Sequence, residues 1–213
     1  MDKNIFKDIE EIIKPYFEEG GSHEFSHTQR VYNLALKISR NKKVDLDVIR
    51  AAALLHDIAR FREDKGEIKC HAEESAKMAK LILTNLDFPK EKISKVLHAI
   101  RVHRHSKGLK AKSKEAEILQ DADRLDALGA IAIGRMFSTG GKIGLPLYKP
   151  NRPLGGSYSG YKSDSTIHGF YSKILKITPN TFKTEIARKI ANGRYIYVQK
   201  FLDRFIKEWN GKK

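Results

Sequence analysis

Apolar residues recur at helical spacing along nearly the whole chain of 213 residues, and no segment alternates like a half-buried strand. Helices are predicted at about residues 3–19, from 26 onward, and at 45–61, 71–86, 89–105, 115–137, 165–177 and 180–209. The segment 138–164 differs, because it holds six glycines and three prolines. The pattern predicts an all-α fold: one helical-bundle domain over residues 1–213, with an N-terminal helix within 1–20, a long Gly/Pro-rich loop at 138–164 and C-terminal helices at 165–209.

The net charge and the cysteine content indicate which classes of binding partner and which cellular compartment to expect. The chain carries 41 lysines and arginines against 26 acidic residues, a net charge of +15 that attracts anions, from nucleotides and polyphosphates to nucleic acid. The same excess is also typical of a lysine-rich solvated surface. The single cysteine, Cys70, excludes an internal disulfide and fits a reducing compartment. No signal-peptide core or membrane-length apolar run occurs, so we expect a cytoplasmic protein without a membrane partner.

The stretch RAAALLHDIAR, residues 50–60, places His56 and Asp57 in an otherwise apolar helix. A buried carboxylate without a partner costs several kcal/mol or becomes protonated, so this pair needs compensation. A local explanation pairs Asp57 with Arg60 or Arg62, and His56 with a backbone carbonyl. The alternative is that further ligands converge on the pair from other helices.

A second histidine opens the helix that begins at SHTQ. Ser26 followed three residues later by Gln29 is typical of a capping box, which places His27 in the first helical turn. His27 then heads a stripe of apolar residues at helical spacing. We therefore expect its imidazole to face the same core as His56 and Asp57.

Three acids follow in QDADRLDALGA: Asp126 within the broad apolar face, and Asp121 and Asp123 on opposite flanks. Spacing alone does not choose among them. Imidazole and carboxylate together suit Mn²⁺, Fe²⁺, Co²⁺, Ni²⁺ or Zn²⁺, and one cysteine excludes a thiolate site. A metal would neutralise the buried pair, lower the pKa of bound water toward ~7 and polarise a phosphoryl oxygen. The sequence thus predicts a metal site of two histidines and two aspartates.

The order His27, His56-Asp57 and an aspartate in DADR resembles the HD-domain metal-dependent phosphohydrolases, an all-α family. Segments such as AALLHDIAR, DADRLDALGAIAIGRMF and the tail from HGFYSKILKI resemble its small single-domain subgroup, which includes nucleoside-triphosphate pyrophosphohydrolases. This resemblance extends from about residue 20 to Trp209. Through the family's ADR motif it implies that Asp123 is the fourth metal ligand. It also implies catalysis by Asp57 and His56 at a divalent ion, with Mn²⁺ the first choice and Fe, Co, Ni, Zn or Mg as alternatives.

Five further residues are secondary candidates. His71 and His103 are candidates for a second metal or for substrate, His71 because related two-metal proteins use histidines from this part of the chain. The alternative for His71 is a first-turn histidine bonded to water or backbone. Arg104 shares a face with apolar residues and is a phosphate-binding candidate. The resemblance adds Lys173 and Arg194, which would otherwise be cations covering aromatic surface.

The resemblance implies hydrolysis of a nucleoside or deoxynucleoside triphosphate to monophosphate and pyrophosphate. A nucleoside monophosphatase, or another phosphomonoesterase or phosphodiesterase at the same site, is the nearest alternative. A non-catalytic nucleic-acid-binding HD protein is a different class, motivated by the charge but disfavoured by the presence of all four implied ligands. The loop at 138–164 is a candidate lid over a nucleotide. The last helix offers aromatic residues for the core or for a homo-oligomer: Tyr195, Tyr197, Phe201, Phe205 and Trp209.

Overall fold

Ten α-helices make up most of the residues that the computed structural model describes, which are 4–17, 24–104, 107–155 and 163–212. They are α1 (Asn4–Ile13), α2 (Phe25–Ser39), α3 (Leu46–Leu55), α4 (Arg60–Asp64), α5 (His71–Asn85), α6 (Lys90–Val102), α7 (Lys114–Asp126), α8 (Ala130–Lys142), α9 (Thr166–Ser172) and α10 (Glu185–Trp209). These ranges contain no strand. The predicted all-α fold class is confirmed.

The chain divides into two compact units, the first ending at Asp123 and the second beginning at Arg124. In the first unit α3 is central, packing against α1, α2, α5 and α6. In the second unit α8 packs against α9 and α10. The single domain over 1–213 stays a prediction. Within the described ranges, no helix has both the length and the apolar character needed to cross a bilayer.

Helix α3 starts as predicted but ends six residues earlier, at Leu55 instead of residue 61. The Asp45 side chain caps its N-terminus by accepting from the backbone amides of Asp47 and Val48 at 3.1 and 3.4 Å. At the other end, the amide of Ala59 donates to the hydroxyl of buried Ser75 at 3.1 Å. That amide would bond to the residue-55 carbonyl in a continued helix, so the side chain from α5 stabilises a break that places residues 56–59 in a turn.

The first two helices also differ from the predicted bounds. Helix α1 ends at Ile13, because Pro15 lacks the amide that would continue it and a 3₁₀ turn follows. The predicted closure at Gly20 and Gly21 lies outside the described residues. Helix α2 begins at Phe25 with Glu24 at the N-cap, and Ser26 donates to the Glu24 carboxylate at 3.2 Å. The predicted capping box is therefore wrong, although the residue after Ser26 still lies in the first turn.

The predicted helix over 115–137 is two helices, α7 and α8, separated at Gly129. Gly129 has a φ of 81°, which an L-residue adopts only at a cost, and a Cβ there would lie 3.0 Å from Cγ of Arg194. Helix α8 then continues to Lys142, so the irregular segment begins at 143 instead of 138. Gly140 lies within α8, and a Cβ at this position would collide with the Thr166 hydroxyl, so the packing of α8 against α9 requires a glycine here.

The rest of the predicted loop is partly fixed to the start of α9. The amides of Thr166 and Ile167 donate to the carbonyls of Pro146 and Leu147, both at 3.0 Å. Residues 156–162 lie outside the described ranges, so the lid stays a prediction. The predicted helix at 165–177 is reduced to α9 and a 3₁₀ turn, and α10 begins at residue 185 instead of 180, where the Thr184 hydroxyl caps it.

Helix α6 ends at Val102 instead of 105, and residue 105 itself lies outside the described ranges. The five aromatic residues of α10 have three kinds of surroundings. Tyr195 is half-buried, and its hydroxyl donates to the Leu175 carbonyl at 3.1 Å. Phe201 and Phe205 pack with Phe137 within the second unit, with ring centroids 6.0 and 6.1 Å from it. Tyr197 and Trp209 are exposed. The homo-oligomer stays a prediction.

Candidate metal centre

Helix termini of the first unit bring six candidate residues together. They are His27 in the first turn of α2, His56 and Asp57 just after α3, His71 as the first residue of α5, His103 just after α6, and Asp123 in the last turn of α7. Termini suit this purpose, because a side chain there can point along the helix axis toward a shared interior. The four histidines and Asp57 are all at least 96 % buried.

Four of these residues form what we call the first cluster: His27, His56, Asp57 and Asp123. Oδ2 of Asp57 lies 3.8 Å from Nε2 of His27 and 3.8 Å from Nε2 of His56. Nε2 of His27 also lies 3.4 Å from Oδ1 of Asp123. One nitrogen or oxygen each from His27, His56 and Asp57 falls within 4.8 Å of the other two, the spacing expected around one ion.

The second cluster consists of Asp57, His71 and His103. Oδ1 of Asp57 lies 3.1 Å from Nε2 of His71 and 3.3 Å from Nε2 of His103. The two Nε2 atoms lie 3.3 Å apart. These three atoms also satisfy the 4.8 Å spacing. Asp57 therefore offers one oxygen to each cluster.

Backbone contacts fix the tautomers of two of these histidines. Nδ1 of His56 donates to the carbonyl of Ala53 at 2.8 Å, and Nδ1 of His103 donates to the carbonyl of Ile100 at 2.7 Å. A carbonyl only accepts, so the proton is on Nδ1 and the neutral ring presents its Nε2 lone pair inward. Nε2 of His56 is buried and makes no hydrogen bond within the described part of the chain. The local explanation for His56 thus accounts for one ring nitrogen only.

Burial of His56 and the groups around Asp123 favour the protonation states that bind a metal ion. Complete burial lowers the pKa of His56 to about 4, although the Asp57 charge acts in the opposite direction. Burial alone raises the pKa of Asp123, but the His27 hydrogen bond and the surrounding imidazoles outweigh it and lower this pKa to about 2. At neutral pH, His56 is a neutral imidazole and Asp123 a carboxylate.

The pKa of His103 is shifted in the opposite direction to that of His56. Burial lowers its pKa, but the hydrogen bond and charge of Asp57, together with the charge of Asp123, outweigh burial, and the net direction is upward. The carboxylates of Asp57 and Asp123 therefore favour a positive charge at His103. A proton or a metal ion can supply that positive charge.

Two arginines follow His56 and Asp57 in the chain, and both form ion pairs with carboxylates other than that of Asp57. Arg60 pairs with Asp64 at 3.1 Å, and Arg62 lies 3.4 Å from Glu67. Burial lowers the pKa of Arg60, but the charge of Asp57 and the hydrogen bond to Asp64 outweigh it, so Arg60 compensates the charge of Asp57 in part. The donor set of buried imidazole nitrogens and carboxylate oxygens, with an unbonded His56 Nε2, fits a divalent transition ion.

The acids that spacing could not separate have different surroundings. Asp123 approaches His27, as described above. Asp126 is 1 % exposed and accepts from Arg135 at 2.9 Å within the second unit. Asp121 is fully buried. Arg124, between them in DADR, donates to the carbonyl and hydroxyl of Thr181 at 2.9 and 2.6 Å.

The three phosphate-binding candidates do not share the direct contacts that join the residues of the two clusters. Arg104 donates through Nη1 to both carboxylate oxygens of Glu63 at 3.0 and 3.1 Å. Lys173 is exposed, and Arg194 donates to the Leu125 carbonyl; both belong to the second unit, whereas the clusters belong to the first. Their roles stay predictions.

Sequence reasoning missed Glu63, which contacts His71 as well as Arg104. Glu63 lies eight residues before His71 in a short helix, so neither periodicity nor a motif points to it. One signal was present. Helix α5 begins after Cys70, which gives no side-chain cap, so its first amides are open to an acceptor from elsewhere in the chain.

Comparison with known proteins is consistent with this geometry. The HD domain family model matches residues 25–128, which include all six candidate residues. The uncharacterized protein YpgQ of Bacillus subtilis is 31% identical over 198 residues, covering 91% of this chain and 88% of that protein.

Two solved structures are similar over almost the full length. An HD-superfamily hydrolase from Bacillus thuringiensis superposes with a TM-score of 0.78 at 32% identity, covering 98% of both chains. YpgQ in complex with ADP superposes with a TM-score of 0.73 at 25% identity, covering 98% of this chain and 100% of that chain.

Proposed function

The chain belongs to the HD-domain family, and from that premise we propose that it is a divalent-metal-dependent phosphohydrolase acting on nucleotides. The finer proposal is a nucleoside- or deoxynucleoside-triphosphate pyrophosphohydrolase, which releases monophosphate and pyrophosphate. The observation that carries the proposal is the convergence of four buried imidazoles on the two oxygens of Asp57.

We assign the first metal to His27, His56, Asp57 and Asp123, and a second metal to Asp57, His71 and His103. Mn²⁺ is the first choice among the divalent ions that mixed imidazole and carboxylate donors suit, and Fe, Co, Ni, Zn and Mg are the alternatives. A divalent ion bound there supplies a Lewis acid for a phosphoryl oxygen and lowers the pKa of bound water to about 7.

The chain's own residues contribute positioning and charge. Asp57 is shared by the two clusters, so it sets their separation. His56 and His103 are held at Nδ1 by backbone carbonyls, so their Nε2 atoms keep a fixed direction during a reaction. Phosphoryl transfer requires mainly positioning and charge stabilisation, which a rigid and buried set of donors provides.

A nucleotide is the favoured substrate class for two reasons. The net charge of +15 attracts polyphosphate anions. The related YpgQ has been solved in complex with ADP, which supports a nucleotide as the ligand of this chain too. Arg104, Lys173 and Arg194 remain the proposed phosphate-binding residues.

The test is a phosphorus NMR time course with metal-stripped protein, Mn²⁺ added back and a panel of nucleotides, with Asp57→Ala alongside. Pyrophosphate and monophosphate that appear only with metal and intact Asp57 support the finer proposal. Free phosphate identifies a phosphatase, the nearest alternative. A protein that binds no metal and hydrolyses no nucleotide, but binds nucleic acid with steep salt dependence, contradicts the proposal.

A further inference from the structure

Glu63 makes the contacts of a supporting residue for the second cluster. Its Oε2 accepts from Nδ1 of His71 at 2.7 Å, and the same oxygen accepts from the backbone amide of His71. The Glu63 side chain is 19% exposed, while that of His71 is 1% exposed. One carboxylate thus holds both the ring and the main chain of this histidine.

A histidine in this position needs such a partner because of where it lies in its helix. His56 and His103 each follow a helix, so a carbonyl three residues earlier is within reach of Nδ1. His71 begins α5, and the preceding Cys70 is extended, with φ −153° and ψ 109°. No helical turn directly precedes His71 to offer a backbone carbonyl to its Nδ1. The carboxylate of Glu63 is the acceptor instead.

The proton between His71 and Glu63 belongs to the imidazole. Both ring nitrogens of His71 face a carboxylate oxygen, Nδ1 that of Glu63 at 2.7 Å and Nε2 that of Asp57 at 3.1 Å. The shorter contact favours the proton on Nδ1, which leaves the Nε2 lone pair for a metal ion beside Asp57. Nη1 of Arg60 lies 3.4 Å from the same Nδ1 and can only donate, so this longer contact favours the Nε2–H tautomer and acts against Glu63. Arg104 holds Glu63 from the other side through both carboxylate oxygens.

We propose that Glu63 is a positioning residue that fixes His71 in the Nδ1–H tautomer and thereby sets the affinity of the second cluster for a divalent metal. The part of this proposal that concerns metal affinity rests on the proposed function, whereas the part that concerns the His71 tautomer does not. Arg104 then acts by holding Glu63 in place. Carboxylates that orient ligating histidines in this way change metal affinity by about 10–100-fold.

The first measurement is long-range proton–nitrogen NMR of the histidine rings in metal-free protein at pH 8. Glu63→Ala removes the acceptor, and Glu63→Gln keeps an oxygen of nearly the same shape. Glu74→Ala is the matched control, because Glu74 lies in the first turn of α5 but pairs with Arg62 and Lys77. We expect Nδ1–H at His71 in wild type and Glu74→Ala, and a shift toward Nε2–H in Glu63→Ala, where Asp57 and Arg60 both favour that tautomer.

The second measurement is a Mn²⁺ titration followed by calorimetry and electron paramagnetic resonance. We expect two equivalents and a spin-coupled pair in wild type and in Glu74→Ala. Glu63→Ala should bind one equivalent about 10–100-fold more weakly and leave the other nearly unchanged, and Glu63→Gln should fall between. The retained tight equivalent also shows that the variant is folded.

Three results would overturn the inference: an unchanged His71 tautomer in Glu63→Ala, equal weakening of both equivalents, or a single Mn²⁺ site in wild type. The proposed function fails separately. If wild type binds two Mn²⁺ ions and Glu63→Ala loses one, but no nucleotide is hydrolysed, the role of Glu63 stands and the phosphohydrolase does not.

Discussion

Oδ1 of Asp57 lies 3.1 Å from Nε2 of His71, while the other oxygen of the same carboxylate faces His27 and His56 at 3.8 Å. One side chain therefore belongs to both clusters. A change at Asp57 should consequently affect two ions, and a change at His71 only one.

We expect Asp57→Asn to abolish binding of both Mn²⁺ equivalents and to reduce nucleotide hydrolysis to the metal-free background. An amide nitrogen replaces one carboxylate oxygen and the negative charge is lost. His71→Ala should remove one equivalent only. Calorimetric stoichiometry and the hydrolysis rate measure both variants. Two equivalents retained in Asp57→Asn would contradict the shared carboxylate.

Metal binding should stabilise the fold, because the buried carboxylates and imidazoles gain their counterion only in the native state. At about 100 times the dissociation constant, Mn²⁺ should raise the free energy of unfolding by about 2.7 kcal/mol and the melting temperature by roughly 5–10 °C. Chelator should reverse this. Scanning calorimetry of wild type and Asp57→Asn tests it, and an equal shift in both proteins would rule out these clusters as the source.

Two glycines provide a matched test of the break between α7 and α8. Gly129→Ala should destabilise by about 1–3 kcal/mol, because φ 81° and ψ −155° suit glycine alone and the new Cβ meets the Arg194 side chain at 3.0 Å. Gly134→Ala, in exposed helix with no atom within 4 Å of the new Cβ, should stabilise by about 0.5–1 kcal/mol. Urea unfolding of wild type and both variants measures these changes in the free energy of unfolding. Changes of the same sign in the two variants would contradict the prediction.

The cap of α3 should make stability depend on pH at both ends of the range. Burial raises the pKa of Asp45, but hydrogen bonds from Lys92 and the backbone outweigh it, so the net pKa is lowered from 3.8. A lowered carboxyl pKa means that this stabilisation is complete above 3.8 and is lost as pH falls through the folded-state pKa.

Lys92 behaves in the opposite sense. Hydrogen bonds from its ammonium to Asp47 and Asp45 raise its pKa from 10.5 despite some burial, so its contribution is complete below 10.5 and is lost as pH rises through the folded-state pKa. Wild type and Lys92→Met should therefore differ most in unfolding free energy near neutral pH and converge at both extremes. A difference independent of pH would show that the ion pair is not the cause.

The sequence by itself determined the helical class and the chemistry of the centre. Helical spacing of apolar residues predicted the α-helices, and His56-Asp57 within an apolar stretch predicted that further polar ligands would converge there. Both conclusions depend on residue type and local periodicity, which the chain carries without its fold. Asp123 was selected through the family resemblance, since spacing left Asp121 and Asp126 equally open.

Only the tertiary structure decided how these elements meet. The hydroxyl of Ser75 accepts a hydrogen bond from the amide of Ala59, sixteen residues away in the sequence. This bond helps to end α3 just before His56 and Asp57. The side chain of Arg194 lies against Gly129 at the break between α7 and α8. Glu63 reaches His71 from another helix. Each contact joins residues that are distant in sequence, and its free energy depends on packing that no local pattern encodes.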